Sequence, residues 1–251
     1  MTHRPPDQHF SEPQLAALYD ITSPWSEDRD FYLQLAGADR LAILDLGCGT
    51  GLVSAAYAAA GHRVVGVDPA AAMLDVARAR PHGDEVEWVC AYAQDYVSER
   101  RFDLAIMTGH ALQALLGDAE LAALFAMLAR QLKGGGRFVF ETRNPARDWA
   151  SLWNGRRGRF DSPFGVVTIS TEVHEATAEF IAFEHTYEFG DRADNQTLRS
   201  LSRLRFPSLA LLRRLLDAAG FDVSAVYGDW MRGSLSASSE EIVVVAQRHS
   251  V

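Results

Sequence analysis

The chain reads as an α/β protein, a mostly parallel sheet with helices on both faces, carrying an inserted antiparallel β segment. Two observations predict this. Short apolar runs alternate with helical stretches from about residue 41 to 143, and again after about 207. Between these regions, from about Gly165 to Phe206, β-rich runs follow one another with no helix intervening, so they pair antiparallel through hairpins or short loops.

The elements are justified in order. "SEPQLAALYD" opens with Ser11 and carries Gln14 three residues on, a capping-box pattern for a short helix in an amino-terminal segment of residues 1–40. "LAILDLG" and "RVVGVD" are short apolar runs ending at a glycine or an acid, hence buried strands. The alanine-rich helix between them stops at Gly61. After Asp68 comes "AAAMLDVARAR", a helix ended by Pro81, which cannot continue it. "VEWVCA" and "FDLAIMTG" are further strands. Asp118 starts a helix with Leu121, Leu124, Leu128 and Leu132 at helical spacing, ended by Gly134 to Gly136, and "RFVFETR" is the fifth strand. The inserted segment, residues 146–206, holds roughly three strands, "VVTISTEVHEA", "EFIAFEHTYEF" and "TLRSLSRLRF", the last two separated by "GDRADNQ". It is expected to cap the site. "SLALLRRLLDAAG" is a helix between the cap Ser208 and the stop Gly220, and "FDVSAVYGDW" and "EIVVVAQR" are the closing strands.

Composition narrows the function class. The 251 residues are 48% hydrophobic and 23% charged, as in a soluble globular domain. No apolar run reaches the 18 residues of a membrane span, and "MTHRPPDQHFSEPQ" lacks the apolar core of a secretory signal. Cys48 and Cys90 form neither a disulfide framework nor a metal spacing, so a cytoplasmic protein is expected. His174 and His185 have no ligand partners at a recognisable spacing, and no metal is expected. A net charge of −9 argues against a nucleic-acid binder. The expected state is monomer or homodimer.

The chemistry gathers at "ILDLGCGTG", Ile43 to Gly51, where Gly47, Gly49 and Gly51 leave the first strand and open a helix. Such a turn lets a ligand lie against bare backbone, and the helix amino terminus offers unpaired N–H groups to a phosphate or carboxylate. Asp68, ending the second strand, can accept from both hydroxyls of a ribose, or cap the following helix. Together they indicate a nucleoside with an anionic group, either a dinucleotide or S-adenosylmethionine. The dinucleotide fingerprint needs glycine where this chain has Leu52, and Asp45 is a poor neighbour for a pyrophosphate but suits an ammonium and a sulfonium.

Here the sequence resembles the class I S-adenosylmethionine-dependent methyltransferases of small-molecule type. The matching stretches are "ILDLGCGTG", "VVGVDPAAAMLDVARAR", "VEWVCAYAQDY", "RFDLAIMTGHALQALL", "LKGGGRFVFETRNP" and "LLDAAGF", within residues 41–145 and 207–251. The resemblance implies a Rossmann-like mixed seven-stranded sheet and S-adenosylmethionine as cofactor. It implies that Gly47, Cys48 and Gly49 lie along the methionine part, that Asp45 orients its amino group, and that Asp68 holds the ribose. Pro69 and Met73 would pack near the adenine, and Met107 and Thr108 would line the cofactor near its sulfur. Where the family has Gly-Asp-Ala, this chain has Ala91, Tyr92 and Ala93, so the adenine contact passes to the Ala93 N–H, Gln94 or Asp95. Tyr92 is then an adenine neighbour or a core aromatic.

Tyr19 and Trp25 are read as packing in a lid over the cofactor. His110, at the mouth of the site, is the candidate catalytic base, the alternative being a cap or packing role. Glu141 and Arg143 either contact substrate or pair in solvent. Arg199, Arg203 and Arg205 mark the solvated face of the cap, or recognise an acidic substrate. The reading is N- or O-methylation of a small-molecule acceptor. The alternative is a non-catalytic S-adenosylmethionine-binding regulatory or partner protein.

Overall fold

The computed structural model describes residues 3–190 and 196–250. The chain opens with short helices, α1 (Gln8–Ser11), α2 (Pro13–Ala16), α3 (Tyr19–Thr22) and α4 (Glu27–Gln34). The alternating core follows as β1 (Ala42–Leu46), α5 (Leu52–Ala59), β2 (Arg63–Asp68), α6 (Ala71–Ala79), β3 (Glu87–Cys90), β4 (Phe102–Met107), α7 (Asp118–Gln131) and β5 (Leu132–Arg143). Next come α8 (Trp149–Trp153), β6 (Arg157–Ser162), β7 (Gly165–Ala176), β8 (Phe180–Phe189) and β9 (Thr197–Arg205). The chain closes with α9 (Leu209–Ala218), β10 (Phe221–Tyr227) and β11 (Glu241–Arg248).

The main sheet has seven strands in the order β10-β11-β5-β4-β1-β2-β3. β1 to β5 run parallel, and β11 is antiparallel to both of its neighbours. β1 pairs with β2 on one side and β4 on the other, so the strand order reverses at β1 and leaves a crevice at the carboxyl ends there. Strand alternation splits the core between two faces. Leu44, Leu46, Phe138 and Phe140 pack with residues of α7 and α9, whereas Ile43, Val64, Leu104 and Ile106 pack with residues of α4 and α5. Among the described residues, no helix is long and apolar enough to cross a membrane.

The second sheet, β6-β7-β8-β9, is antiparallel throughout. Its Val167, Tyr187 and Phe189 cluster with Leu15 and Leu18, and α2 in turn packs Ala16 on Ala70 and Met73, just beyond β2. On its other flank, Gln113 Nε2 in the turn after β4 donates to the Arg205 carbonyl at 2.8 Å, and Arg205 Nη2 donates to Asp118 at 2.6 Å. Both ties reach segments that leave carboxyl ends of parallel strands, so this sheet lies on the crevice side.

Several expectations are corrected. The second sheet has four strands rather than three, because β6, "RGRFDS", is largely exposed and carries no alternating apolar signal. Ser11 caps nothing ahead of it. It ends α1, where its hydroxyl donates to the Asp7 carbonyl at 3.1 Å, and α2 starts with Pro13 at its first turn. Gly134 to Gly136 do not end α7. The helix stops at Gln131 and the glycines lie inside β5, where the pairing with β4 shifts register between Phe102 and Leu104. Arg205 is buried and tied to Asp118 rather than solvated, while Arg199 and Arg203 are exposed and pair with Glu184 and Glu175. The "GDRADNQ" connection falls mostly outside the described residues.

Gly51 illustrates how tightly β1, α5 and β3 are fitted. Its φ is +73°, and a Cβ there would stand 2.3 Å from Trp88 Cη2 and 2.9 Å from Ala77 Cβ. Gly51→Ala is therefore expected to destabilise the fold by about 2–4 kcal/mol, combining left-handed strain with overpacking. A denaturant titration checks this, and a change below about 0.5 kcal/mol would contradict it.

Candidate active site at the carboxyl ends of the parallel strands

The glycine turn is held by backbone hydrogen bonds to β2. Gly47 N–H and Cys48 N–H both donate to the Val67 carbonyl, at 2.8 and 3.1 Å, and Gly49 N–H donates to Asp68 Oδ2 at 2.9 Å. Gly47 and Gly49 have φ of +66° and +55°. A Cβ on Gly47 would lie 2.7 Å from Ala111 Cβ, so the turn after β4 sits directly against it. A Cβ on Gly49 would meet nothing within 4 Å: bare backbone faces open space here.

Two carboxylates flank that space. Asp68 is buried, and its Oδ1 accepts from Ala70 N–H at 2.8 Å while Oδ2 takes Gly49, so it holds the residue preceding α6 and anchors the turn at once. Burial raises its pKa to about 6, against the two N–H donors. Asp45 is 1% exposed; its Oδ2 accepts from Ser54 Oγ at 2.6 Å, and its buried Oδ1 has no partner. Burial raises Asp45 to about 7, with the Ser54 bond opposing and Asp68 adding to the shift. Asp45 thus keeps one buried acceptor oxygen without a donor. Cys48 is buried with its thiol pushed well up by burial and by Asp45 and Asp68, which keeps it from acting as a thiolate.

The amino-terminal helices close over the turn. Asp20 accepts from Thr50 Oγ1 at 2.6 Å and from Arg80 Nη2 at 2.5 Å, and Arg80 Nε reaches the Thr50 carbonyl at 2.7 Å. Nothing local in the sequence marks this three-way tie. Tyr19 is the lid residue that reaches the site: its hydroxyl stands over Gly109, and the charges of Asp68 and Arg143 both act on it. Trp25 is exposed and donates to Asp30 at 2.7 Å, so it closes no site.

The remaining cofactor candidates divide. Pro69 is half-buried at the rim, and Met73 lies fully buried under Ala16 with Phe10 and Tyr19 nearby. Met107 is turned into the core, while Thr108 stays partly accessible. Tyr92 is no core aromatic. Its ring stacks on His3 at 4.3 Å between centroids, and its hydroxyl donates to the Arg4 carbonyl at 2.8 Å. His3 also bonds Asp95 at 2.6 Å and Gln94 at 3.1 Å, so both side chains already have a partner, while Ala93 is buried beside them.

A polar cluster lies beyond the turn, at the ends of β4, β5 and β11. His110 has φ +61° and its N–H donates to Glu141 Oε1 at 2.7 Å. Its ring Nε2 pairs with Glu241 Oε2 at 2.8 Å, the two side chains being 19% and 14% exposed. Burial pushes His110 down and Glu241 up to about 7, so the pair takes up or releases one proton near neutrality, on the carboxylate. Glu141 is buried, not in solvent, and accepts from the Tyr32 hydroxyl. Arg143 is half-buried against Trp149 and Trp153 and donates to Gln113 Oε1 at 2.9 Å. Glu141, Arg143 and His110 were visible as candidates; Glu241, Tyr32, Gln113 and the two tryptophans join them only through folding.

Comparison with known proteins agrees with this geometry. Residues 43–136 match the family model described as "Methyltransferase domain". The chain is 28% identical over 213 residues to the cypemycin N-terminal methyltransferase of Streptomyces sp, covering 84% of each chain. It is 31% identical over 116 residues to the ubiquinone biosynthesis O-methyltransferase of Bradyrhizobium sp., a match spanning 45% of this chain and 43% of that one. Among solved structures, the CcbJ methyltransferase from Streptomyces caelestis superposes with a TM-score of 0.75 at 24% identity, covering 94% and 97% of the two chains. An S-adenosylmethionine-dependent methyltransferase from Clostridium acetobutylicum superposes with a TM-score of 0.75 at 15% identity, covering 95% and 99%. The glycine turn, the carboxylate ending β2 and the strand order, together with the match of residues 43–136 to the methyltransferase domain, support a class I S-adenosylmethionine-dependent methyltransferase.

Proposed function

We propose that the enzyme methylates the nitrogen of a small-molecule amine bound between the ends of β5 and β11 and the antiparallel sheet. The carrying observation is the His110–Glu241 pair, 2.8 Å apart, whose carboxylate gains or loses a proton near neutrality. S-adenosylmethionine, when bound, supplies an electrophilic methyl group on a sulfonium. The chain's own residues do the rest. Asp45 Oδ1 receives the cofactor's amino group, Gly47 to Gly49 present backbone along its methionine part, and Asp68 takes the ribose hydroxyls with its unused lone pairs. Pro69, Met73 and the Ala93 N–H border the adenine, Thr108 borders the sulfur, and Tyr19 closes the lid over them. Tyr92 and Gln94 frame the adenine edge only with His3 between them.

An amine arrives largely as its ammonium and must lose a proton before its lone pair can attack. The pair of a neutral imidazole and a carboxylate can take that proton, and Arg143 and Glu141 fix its surroundings. The relative named for N-terminal methylation supports nitrogen as the acceptor atom. Two free thiols suit a reducing compartment, consistent with a cytoplasmic enzyme.

Asp68→Ala is expected to raise the dissociation constant of S-adenosylhomocysteine about 10- to 100-fold, the loss of charge-assisted hydrogen bonds worth about 1.5–3 kcal/mol. Titration calorimetry on the folded variant reads this directly, and an unchanged constant removes the ribose role.

The pH profile of turnover tests the pair. Below about 7 the pair is already protonated and cannot accept, so kcat/KM should rise with pH through that value. In Glu241→Gln, which removes the group that titrates there, the rising limb should move toward the acceptor amine's own pKa. A loss of about 10²–10⁴-fold at every pH in His110→Gln would instead indicate a hydroxyl acceptor; an unshifted limb in Glu241→Gln would end the role of the pair.

A further inference from the structure

Arg143 ends β5 half-buried, yet among the described residues it makes no ion pair. Its nearest carboxylates are committed elsewhere: Glu141 to the Tyr32 hydroxyl and the His110 N–H, Glu241 to the His110 ring. The guanidinium is nevertheless held still. Nη1 donates to Gln113 Oε1 at 2.9 Å, and Gln113, fully buried, is fixed by its own bond to the Arg205 carbonyl at 2.8 Å. The Trp153 and Trp149 rings stand 5.0 and 5.8 Å from the guanidinium carbon. Of five donor hydrogens, one is used. Cation–π contact offsets only about 0.5–2 kcal/mol of the cost of holding a charge in a part-buried site, so a fixed, half-buried, planar fork is left without an anion in direct contact.

We propose that Arg143 anchors a carboxylate carried by the methyl acceptor, with Trp149 and Trp153 as the walls of that subsite. This rests on the reading above that the acceptor binds at this end of β5 and β11. Register supplies the substrate class: Arg143 and Glu241 are direct antiparallel partners, so their side chains leave the sheet on the same face. An amine delivered to the His110–Glu241 pair and a carboxylate gripped by Arg143 are then a few bonds apart, the arrangement of an amino acid or a close analogue. A carboxylate suits the cluster better than a phosphate dianion, because the charges of Glu141 and Glu241 also act on Arg143 and would repel a second negative charge more strongly. The tryptophans belong to α8, which packs with Phe183 and Phe206 of the antiparallel sheet and its exit.

The test uses phenylalanine and phenylalaninamide as probes, which differ only in the carboxylate, on protein saturated with S-adenosylhomocysteine. Binding is read by calorimetry or ligand-observed NMR. The acid should bind at least about tenfold tighter than the amide. Arg143→Gln should erase that preference, and Arg143→Lys, which keeps the charge but loses the fork, should keep part of it. S-adenosylhomocysteine affinity should stay within about twofold in both variants. Equal binding of the two probes to the wild type overturns the anchor, and if Trp153→Ala then releases both, the pocket reading survives it. Loss of S-adenosylhomocysteine affinity in both Arg143 variants assigns the guanidinium to the cofactor's own carboxylate and also overturns the proposal. No binding of either probe at about 10 mM overturns the anchor and the pocket together.

Discussion

Asp68 ends β2 with one oxygen on Gly49 N–H and the other on Ala70 N–H, and this double acceptance fixes the distance between the glycine turn and the start of α6. The crevice depends on that spacing. Val67, one residue earlier, takes the N–H groups of Gly47 and Cys48 on its carbonyl, so β2 holds the whole turn in its left-handed path. With the turn fixed, Thr50 is presented to Asp20 and Arg80, and the lid helices dock through them. The lid then carries Leu15 and Leu18 to the antiparallel sheet. A chain of short-range ties thus runs from one carboxylate to the roof of the site.

The site concentrates charge that the fold would not otherwise bury. Asp45, Asp68, Glu141 and Glu241 all have raised pKa values because burial disfavours their charged forms. Such strain persists at functional sites because ligands relieve it. In the proposed reading that relief comes from the cofactor's amino group and sulfonium at one end, and from the acceptor's amine and carboxylate at the other. Tyr19, whose hydroxyl is pushed up chiefly by burial, also lies within the electrostatic reach of both Asp68 and Arg143.

The parallel core was legible because its signals are local. Strands such as "AILDL" and "RVVGVD" are buried apolar runs, and Gly61, Ser208 and Gly220 mark helix boundaries where the backbone or a side chain demands them. The turn and Asp68 were legible for the same reason, since spacing in the chain fixes their meeting. Gly51 shows the limit. It belongs to the glycine pattern, but its reason is Trp88, 37 positions away on β3. β6 was missed because both of its faces are largely exposed, and the glycines after α7 were misread because glycine serves a bulge as well as a helix stop. Glu241 and Tyr32 became visible only when β11 and α4 were brought against His110 and Glu141, contacts 131 and 109 residues apart in the chain.

The most direct measurement is a crystal structure of the protein grown with S-adenosylhomocysteine. The ribose hydroxyls are expected on Asp68, the amino group on Asp45 Oδ1 and the methionine backbone along Gly47 to Gly49, with the sulfur directed toward His110. The ligand found elsewhere on the sheet, or lying in the crevice with Asp45 and Asp68 untouched, would contradict the assignment of this turn as the cofactor cradle.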